Sequence, residues 1–171
     1  RAHSREPPSR GAAQEGAEPL MARRVDIVSD THGYLSPELL RTIDGCDMLI
    51  HAGDITSESD FAELEVSVPC LRAVLGNNDG YFDYGPDVRR VSEFVFEGLR
   101  FAVAHYAKDL PLASADVAVC GHTHRPRIER VRGCLVVNPG SASLPRGRRV
   151  ASIARLMVED GCVLSAEIVD L

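Results

Sequence analysis

Short apolar runs of β-type residues, each ending in a polar turn, constrain the fold of this chain more than any other feature. Runs at 25–29, 48–51 and 71–75 stop at clusters of carboxylates, amides and glycines. Helix signals lie between them, because Ser36 can cap a helix that Pro37 begins, and 57–65 predicts a second short helix. Repeated β-turn-α units predict a largely parallel sheet, whose polar strand ends should meet at one edge.

The second half of the chain is predicted to form antiparallel hairpins, because its apolar runs are paired around short turns that contain glycine. The pairs are 91–96 with 101–105, 127–131 with 135–138 and 150–158 with 162–169, and one more buried strand is predicted at 117–120. A parallel half and a hairpin half together predict an α/β fold, a two-sheet β-sandwich flanked by helices. A chain of 171 residues is expected to form one domain, here spanning 23–171.

Composition limits the expected partners and compartment. The formal net charge of −6 argues against a long nucleic-acid surface, and no apolar run reaches the roughly 18–20 residues needed to cross a membrane. Five cysteines without a C-x-x-C pair predict reduced thiols in a cytoplasmic protein. Residues 1–22 lack periodicity and are expected to be a disordered extension, with Met21 as the native start.

Side chains that can bind metal ions follow almost every predicted strand. They are Asp30, His32, Asp54, Asn77, Asp79, His105, His122 and His124. Carboxylates combined with imidazoles suit first-row divalent ions and zinc. Eight such residues are too many for one tetrahedral site, but they match two ions about 3.5–4 Å apart that share a carboxylate. Asp54 stands alone at its strand end and is the natural bridge.

Five short motifs occur in a fixed order, namely Asp30-x-His32, Gly53-Asp54, Gly76-Asn77-x-Asp79, His105 and Gly121-His122-x-His124. In this order they resemble the calcineurin-like metallophosphoesterases. The compact length and the Asn-Pro-Gly-Ser segment at 138–141 resemble the branch of small bacterial and archaeal phosphodiesterases. The resemblance covers about 25–146. It implies one ion held by Asp30, His32, Asp54 and His124, and another held by Asp54, Asn77, His105 and His122.

The resemblance also implies the chemistry, with Asn77, Asn78, Asp79 and His105 as the expected catalytic residues. A hydroxide bridging two cations would attack the phosphorus of a small phosphodiester, and manganese is the expected metal, with nickel, iron, zinc and cobalt as alternatives. Asn77 and Asn78 are expected to donate hydrogen bonds to phosphoryl oxygens. Asp79 is expected to orient His105 or another ligand, or to act as a protonated acid. Much of the superfamily has a leaving-group histidine where Asn78 stands, so the general acid is unassigned.

Several features have competing interpretations. Asp30 taken alone is an ordinary turn residue, and the segment 138–141 is either a turn or a wall of the site. His51, within its strand, is predicted to be a buried structural histidine. Arg125 either contacts substrate phosphate or belongs to a solvated face. Three aromatic residues are expected to be loop anchors, or else a platform for a nucleobase or aryl group: Tyr81, Phe82 and Tyr84.

Two rival functions remain on the same fold. The first is a catalytically weak protein-binding scaffold, like the small subunit of the retromer coat, and competent side chains at every ligand position argue against it. The second is a phosphomonoesterase or a nuclease. The absence of a leaving-group histidine favours diesters over monoesters, and the acidic net charge disfavours long nucleic acid. Two copies of the chain could pair through the edges of the predicted hairpins, so a homodimer is an alternative to a monomer.

Overall fold

The computed structural model describes residues 21–147 and 150–171. The predicted disordered extension falls almost entirely on residues 1–20, which lie outside the described residues. In chain order the elements are β1 (Arg23–Val28), α1 (Pro37–Ile43), β2 (Met48–His51), α2 (Glu58–Ser67), β3 (Leu71–Ala73), β4 (Val91–Phe96), β5 (Leu99–Ala104), two short 3-10 helices (Ala107–Asp109 and Leu112–Ser114), β6 (Val117–Val119), β7 (Arg127–Val131), β8 (Cys134–Asn138), β9 (Ser152–Glu159) and β10 (Cys162–Asp170). The strands form two five-stranded sheets, and the predicted α/β sandwich is confirmed.

The first sheet has the order β10-β9-β1-β2-β3. Its strands β1, β2 and β3 run parallel, as the β-turn-α pattern predicts. The last hairpin of the chain returns to pair antiparallel with β1 through β9. The third strand is shorter than the predicted 71–75, because Val74 makes only an isolated bridge to Arg89 before the chain turns.

The second sheet has the order β4-β5-β6-β8-β7. Its two outer pairs, β4 with β5 and β7 with β8, are the predicted hairpins. The prediction was incomplete for its centre, where β6 pairs in parallel with both β5 and β8. The 3-10 segments carry the chain from β5 to β6 across the outer face, where Leu110 and Ala115 pack against Ala118. A crossover without a regular helix leaves no periodic signal in the sequence.

Alternating apolar side chains bury the facing surfaces of the two sheets. Val25 and Ile27 of the first sheet share one core with Phe101 and Val103 of the second, and each is at most 1% exposed. A fully buried side chain of this kind contributes roughly 1.5–3 kcal/mol. The helices cover the other face of the first sheet, where Leu39 belongs to a second cluster. This packing fixes the strands of both sheets so that their carboxyl ends approach each other.

The structure also bears on the predicted reduced thiols and on the expectation that no segment spans a membrane. All five cysteines are free thiols, and Cys46, Cys120 and Cys134 are buried. Burial raises the pKa of the Cys46 and Cys120 thiols to about 11, so both are held in the protonated form. Within the described ranges, no helix has the length and apolar character required to span a bilayer.

Candidate metal centre

The first group of predicted ligands surrounds Asp30 Oδ1. His124 Nε2 lies 3.2 Å from this oxygen and His32 Nε2 lies 3.7 Å from it. The two imidazole nitrogens are 3.3 Å apart, and Asp54 Oδ2 is 3.7 Å from His32 Nε2. Ligands about 2.1 Å from one metal ion are separated from each other by roughly 3.0–3.5 Å. The spacing therefore suits a single cation held by these four residues.

The second group surrounds Asn77 Oδ1. His105 Nε2 lies 3.0 Å and His122 Nδ1 lies 3.2 Å from this amide oxygen. Asp54 Oδ2 is 3.5 Å from His105 Nε2, so this carboxylate borders both groups. Asp30 Oδ1 is also 3.9 Å from His105 Nε2, and the two groups adjoin. The structure thus brings together all seven residues predicted as metal ligands; their roles as ligands stay predictions.

A buried carboxylate oxygen gives the physical reason to expect a cation here. Asp30 Oδ2 accepts hydrogen bonds from Ser29 Oγ at 2.6 Å and from the backbone N–H of His122 at 3.0 Å. Asp30 Oδ1 is also buried but has no hydrogen-bond partner within the described residues. Leaving such an acceptor without a partner costs about 1–3 kcal/mol or more. A divalent cation held by Asp30 and the facing imidazoles would remove this cost, and the mixed carboxylate, imidazole and amide donors fit first-row ions.

Backbone carbonyls orient two of the imidazoles toward the centre. His105 Nδ1 donates to the Ala52 carbonyl at 2.7 Å, and His124 Nδ1 donates to the Leu144 carbonyl at 2.6 Å. A proton held on Nδ1 leaves the Nε2 lone pair free to bind a metal ion, which is the usual arrangement of histidine ligands. Neither carbonyl could be identified from the sequence, because neither residue carries a distinctive side chain.

Asn78 holds the shared carboxylate. Its backbone N–H and its side-chain Nδ2 donate to Asp54 Oδ1 and Oδ2, each at 2.9 Å. The Asn78 amide is expected to donate a hydrogen bond to substrate, but its Nδ2 already donates to Asp54 Oδ2, which competes with that role. Asn77 instead presents its oxygen to His105 and His122. In this arrangement Asn78 positions Asp54.

Asp79 lies beneath the centre and supports its backbone. Its carboxylate accepts hydrogen bonds from the backbone N–H groups of Asp54, Thr56 and Gly76 at 2.7, 2.9 and 2.7 Å, and from Tyr84 Oη at 2.8 Å. The expected contact with His105 is absent among the described residues. Three of the four partners are backbone N–H groups that can only donate, and these favour an ionised carboxylate as their acceptor. The geometry favours support of Asp54 over the role of general acid.

Five of the predicted ligands occupy the left-handed backbone region that non-glycine residues rarely adopt. Their φ angles are +53° at Asp30, +48° at His32, +57° at Asp54, +69° at His122 and +58° at His124. Each such residue costs of order 1–3 kcal/mol, and such strain gathers where function requires it. The tight turns aim successive side chains of one loop at the same point.

Segment 138–144 clamps these strained turns. Ser141 Oγ donates to the Asp30 carbonyl at 2.7 Å, and Ser143 Oγ donates to the Thr31 carbonyl at 2.8 Å. Asn138 Nδ2 donates to the Gly121 carbonyl at 2.9 Å. Of the two interpretations of 138–141, the structure therefore supports a wall of the site. Ser143 was missed, because a serine in a loop carries no signal of its target.

Close packing beside the two carboxylates requires glycine at positions 76 and 121. A Cβ atom on Gly76 would collide with Asp54, and one on Gly121 would collide with Ser29 and Asp30. The backbone approaches the carboxylates closely at both points, which places the ligands of neighbouring strands within reach of each other.

Mutual electrostatics shift the titration of the clustered groups. Burial would raise the pKa of Asp54, but the nearby His105 ring and two hydrogen bonds from Asn78 outweigh burial and hold this pKa well below its usual range. The nearby Asp30 carboxylate raises the pKa of His32. Burial and the charge of His105 lower the pKa of His122. Ionised carboxylates beside imidazoles give the centre the negative charge that a divalent cation needs.

The remaining predicted residues separate into structural and exposed ones. His51 is fully buried, and its ring bonds Thr31 Oγ1 at 2.9 Å and the Gly53 N–H at 3.1 Å, in line with a structural histidine. Tyr84 is buried and stacks with Phe82 at 6.2 Å, so these two are loop anchors. Tyr81 is fully exposed, and the anchor prediction is wrong for it.

Comparison with known proteins decides the family. The model of the calcineurin-like phosphoesterase superfamily domain matches residues 24–161. The chain belongs to this superfamily. A probable metallophosphoesterase of Methanothermobacter thermautotrophicus is 31% identical over 161 residues, covering 85% of this chain and 91% of the relative. A phosphodiesterase of Methanocaldococcus jannaschii is 30% identical over 138 residues, covering 68% and 82%.

The fold agrees with solved structures of this superfamily. An archaeal phosphodiesterase superimposes with a TM-score of 0.72 at 24% sequence identity, covering 86% of this chain and 99% of that one. The resemblance read from the five motifs is confirmed, as is the metallophosphoesterase fold.

Proposed function

We propose that this superfamily member is a phosphodiesterase that works with two divalent cations, manganese first among them. The observation that carries the proposal is the position of Asp54, whose Oδ2 lies 3.7 Å from His32 Nε2 in one group and 3.5 Å from His105 Nε2 in the other. A carboxylate between two sets of ligands is the arrangement expected for a pair of ions about 3.5–4 Å apart. The name of the M. jannaschii relative supports diesters as substrates.

The cations would supply a hydroxide nucleophile at neutral pH, by lowering the pKa of a shared water, and would neutralise charge on the phosphoryl oxygens. The chain's own residues prepare this chemistry. Asp30 and Asp54 provide anionic oxygens, and Asn78 holds the Asp54 carboxylate in one orientation. The Ala52 and Leu144 carbonyls accept the Nδ1 protons of His105 and His124, so in the neutral imidazoles the lone pair is on Nε2, which faces the centre.

The stability of the leaving group as an anion determines which phosphate esters this site is expected to cleave. Asn78 follows Asn77 where a histidine would protonate the departing oxygen, and the Asn78 amide is engaged by Asp54. Diesters whose leaving group is stable as an anion need no such proton, and they are therefore the favoured substrates.

The test is a metal screen with two esters. Protein stripped of metal is supplied in turn with Mn²⁺, Ni²⁺, Fe²⁺, Zn²⁺ or Co²⁺, and p-nitrophenol release is measured from bis(p-nitrophenyl) phosphate and p-nitrophenyl phosphate. We expect Mn²⁺- or Ni²⁺-dependent cleavage with the diester preferred. Asp54→Asn should lose this activity, whereas Asp44→Asn, which makes the same change at an exposed position, should retain it.

Two outcomes would reject the proposal. One is diester turnover that persists in excess chelator and in Asp54→Asn. The other is a folded, metal-loaded protein that cleaves neither ester with any of the five ions, which would favour the scaffold alternative.

A further inference from the structure

A cavity of about 310 Å³ lies directly beside the metal centre, on the outer side of the second sheet. Its lining is mainly apolar and includes Tyr106, Ala107, Cys120, Arg125, Pro126 and Val136. Small-molecule sites usually measure about 300–1,000 Å³ and combine apolar walls with a few polar groups. The volume is at the lower end of this range, which suits one ring system better than a long chain.

His122 joins the cavity to the metal centre. Its ring lines the cavity, and its Nδ1 lies 3.2 Å from Asn77 Oδ1 in the second group of ligands. The ring centroid of Tyr106 is 4.6 Å from that of His122, so the tyrosine stands on the cavity side of the imidazole. The ring of His122 thus separates the cavity from the second group of ligands. An ester substituent on a phosphorus atom bound at that group would be about one imidazole width from the cavity.

Cationic side chains surround the cavity mouth. Arg125 and Arg127 line it, and Lys108 Nζ lies 5.2 Å from the centroid of the Tyr106 ring. Arg127 is paired with Glu129, whereas Arg125 has no carboxylate partner within the described residues. Guanidinium groups pair with phosphate oxygens and also stack on flat rings. An anionic ester with an aromatic substituent would therefore find both charge and a stacking surface.

We propose that this cavity binds an aromatic ester group, such as an aryl ring or a nucleobase, of the phosphodiester cleaved at the metal centre. The proposal rests on the proposed function for its reaction, and it adds the substrate class. Tyr106 provides the aromatic wall and the apolar residues accept the ring, while Arg125, which also lines the cavity, supplies a cation for the phosphate. Tyr106 and Arg125 are specificity-determining residues in this account.

Binding can be tested without turnover. The manganese-loaded protein is titrated calorimetrically with methylphosphonate, phenylphosphonate and n-hexylphosphonate, whose carbon–phosphorus bonds resist hydrolysis. We expect phenylphosphonate to bind at least tenfold more tightly than methylphosphonate and more tightly than n-hexylphosphonate, which has the same number of carbons. Equal binding of the phenyl and methyl compounds, or hexyl binding as tight as phenyl, would overturn the inference.

Substitutions at the cavity locate the effect. Ala107 is exposed at the mouth, so Ala107→Trp should obstruct the cavity without disturbing the core, and Tyr106→Leu removes the aromatic wall but keeps apolar bulk. Either change should reduce the preference for phenylphosphonate over methylphosphonate by about tenfold. The matched control is Ala113→Trp, an exposed alanine in the same connection between β5 and β6. Retention of the full preference in both cavity variants contradicts the proposal.

Turnover separates this inference from the proposed function. Phenyl p-nitrophenyl phosphate and methyl p-nitrophenyl phosphate share a leaving group and differ only in the other ester. The ratio of their kcat/KM values should fall about tenfold in Ala107→Trp and stay constant in Ala113→Trp, which cancels their intrinsic difference in reactivity. Hydrolysis with an unchanged ratio would reject the proposed role of the cavity and support the proposed phosphodiesterase activity. Selective binding of phenylphosphonate without any hydrolysis would reject the phosphodiesterase activity and support the role of the cavity.

Discussion

Two sets of predicted ligands differ within the candidate metal centre, and we call them the carboxylate half (Asp30 and Asp54) and the imidazole half (His105, His122 and His124); His32 and Asn77 complete the seven. The carboxylate half follows β1 and β2 of the first sheet, and its residues are at most 2% exposed. Donors orient it, chiefly Ser29 and Asn78. The imidazole half follows β5 and β6 of the second sheet and is oriented mainly by backbone carbonyls.

The difference indicates a division of work. The carboxylate half would offer negative charge to a cation, and hydrogen bonds from Ser29 and Asn78 favour the ionised carboxylates against the effect of burial. The imidazole half would offer neutral nitrogen ligands, and His122 also lines the neighbouring cavity. Because each half belongs to a different sheet, a cation bound between them would join the two sheets at their carboxyl ends. The centre should therefore contribute to stability as well as to catalysis.

The largest expected effect comes from removing charge from the carboxylate half. Asp30→Asn should lower kcat/KM for bis(p-nitrophenyl) phosphate by about a thousandfold, since metal-bound charge stabilisation is worth several kcal/mol and each tenfold corresponds to about 1.4 kcal/mol. His122→Ala, in the less buried part of the imidazole half, should lose about 10–100-fold. Metal content is measured in parallel by elemental analysis. Equal losses in the two variants would remove the distinction between the halves.

The next effect tests what supports the carboxylate half. Asp79→Asn leaves some of the four hydrogen bonds at Asp54, Thr56, Gly76 and Tyr84 unmade, and each buried donor without a partner costs about 1–3 kcal/mol. We expect the free energy of unfolding, measured by urea titration in chelator, to fall by about 3 kcal/mol.

The same variant separates support from acid catalysis. A general acid matters most for poor leaving groups, so its loss would slow a methyl diester far more than a p-nitrophenyl diester. A supporting residue slows both by a similar factor, which is the expected result. A loss confined to the poor leaving group, with stability unchanged, would return Asp79 to the role of acid.

The carboxylate half and the supporting network differ in how far sequence could predict them. Asp30 and Asp54 follow strands with clear β patterns, and the parallel arrangement alone brings such strand ends together. The function of Asp79 depends on which backbone N–H groups face it, and the sequence does not specify those contacts. The partners of Asp26 could not be predicted either. This residue is fully buried between Arg24 and Arg155, and Arg155 is 129 residues away along the chain. The cavity was also missed, because its walls come from three separate segments of the chain that only the fold brings together.

Metal removal tests whether the cations join the two halves. At a metal concentration of 100 times Kd, a ligand that binds only the folded state adds about 2.7 kcal/mol of stability. For a chain of this size, that corresponds to a rise in Tm of roughly 5–10 °C. We expect this shift between chelated and Mn²⁺-loaded protein by differential scanning calorimetry, and its absence in Asp54→Asn. An equal shift in that variant would place the stabilising ion elsewhere.

The smallest expected effect concerns His51, which hydrogen-bonds the loops that carry Asp30 and Asp54. Burial lowers the pKa of His51 from 6.5 to about 4 in the folded protein. Because the unfolded chain takes up this proton first, the stability is complete above about pH 6.5 and is lost as the pH falls toward 4. From pH 7 to pH 5 the loss attributable to His51 is about 2 kcal/mol. It is measured as the difference between the wild type and His51→Asn, whose Oδ1 can still accept from the Gly53 N–H, with both proteins unfolded by urea in chelator at each pH. The subtraction removes the contribution of the other titrating groups. Parallel curves of unfolding free energy against pH for the two proteins would show that His51 is not a buried neutral base in the folded protein.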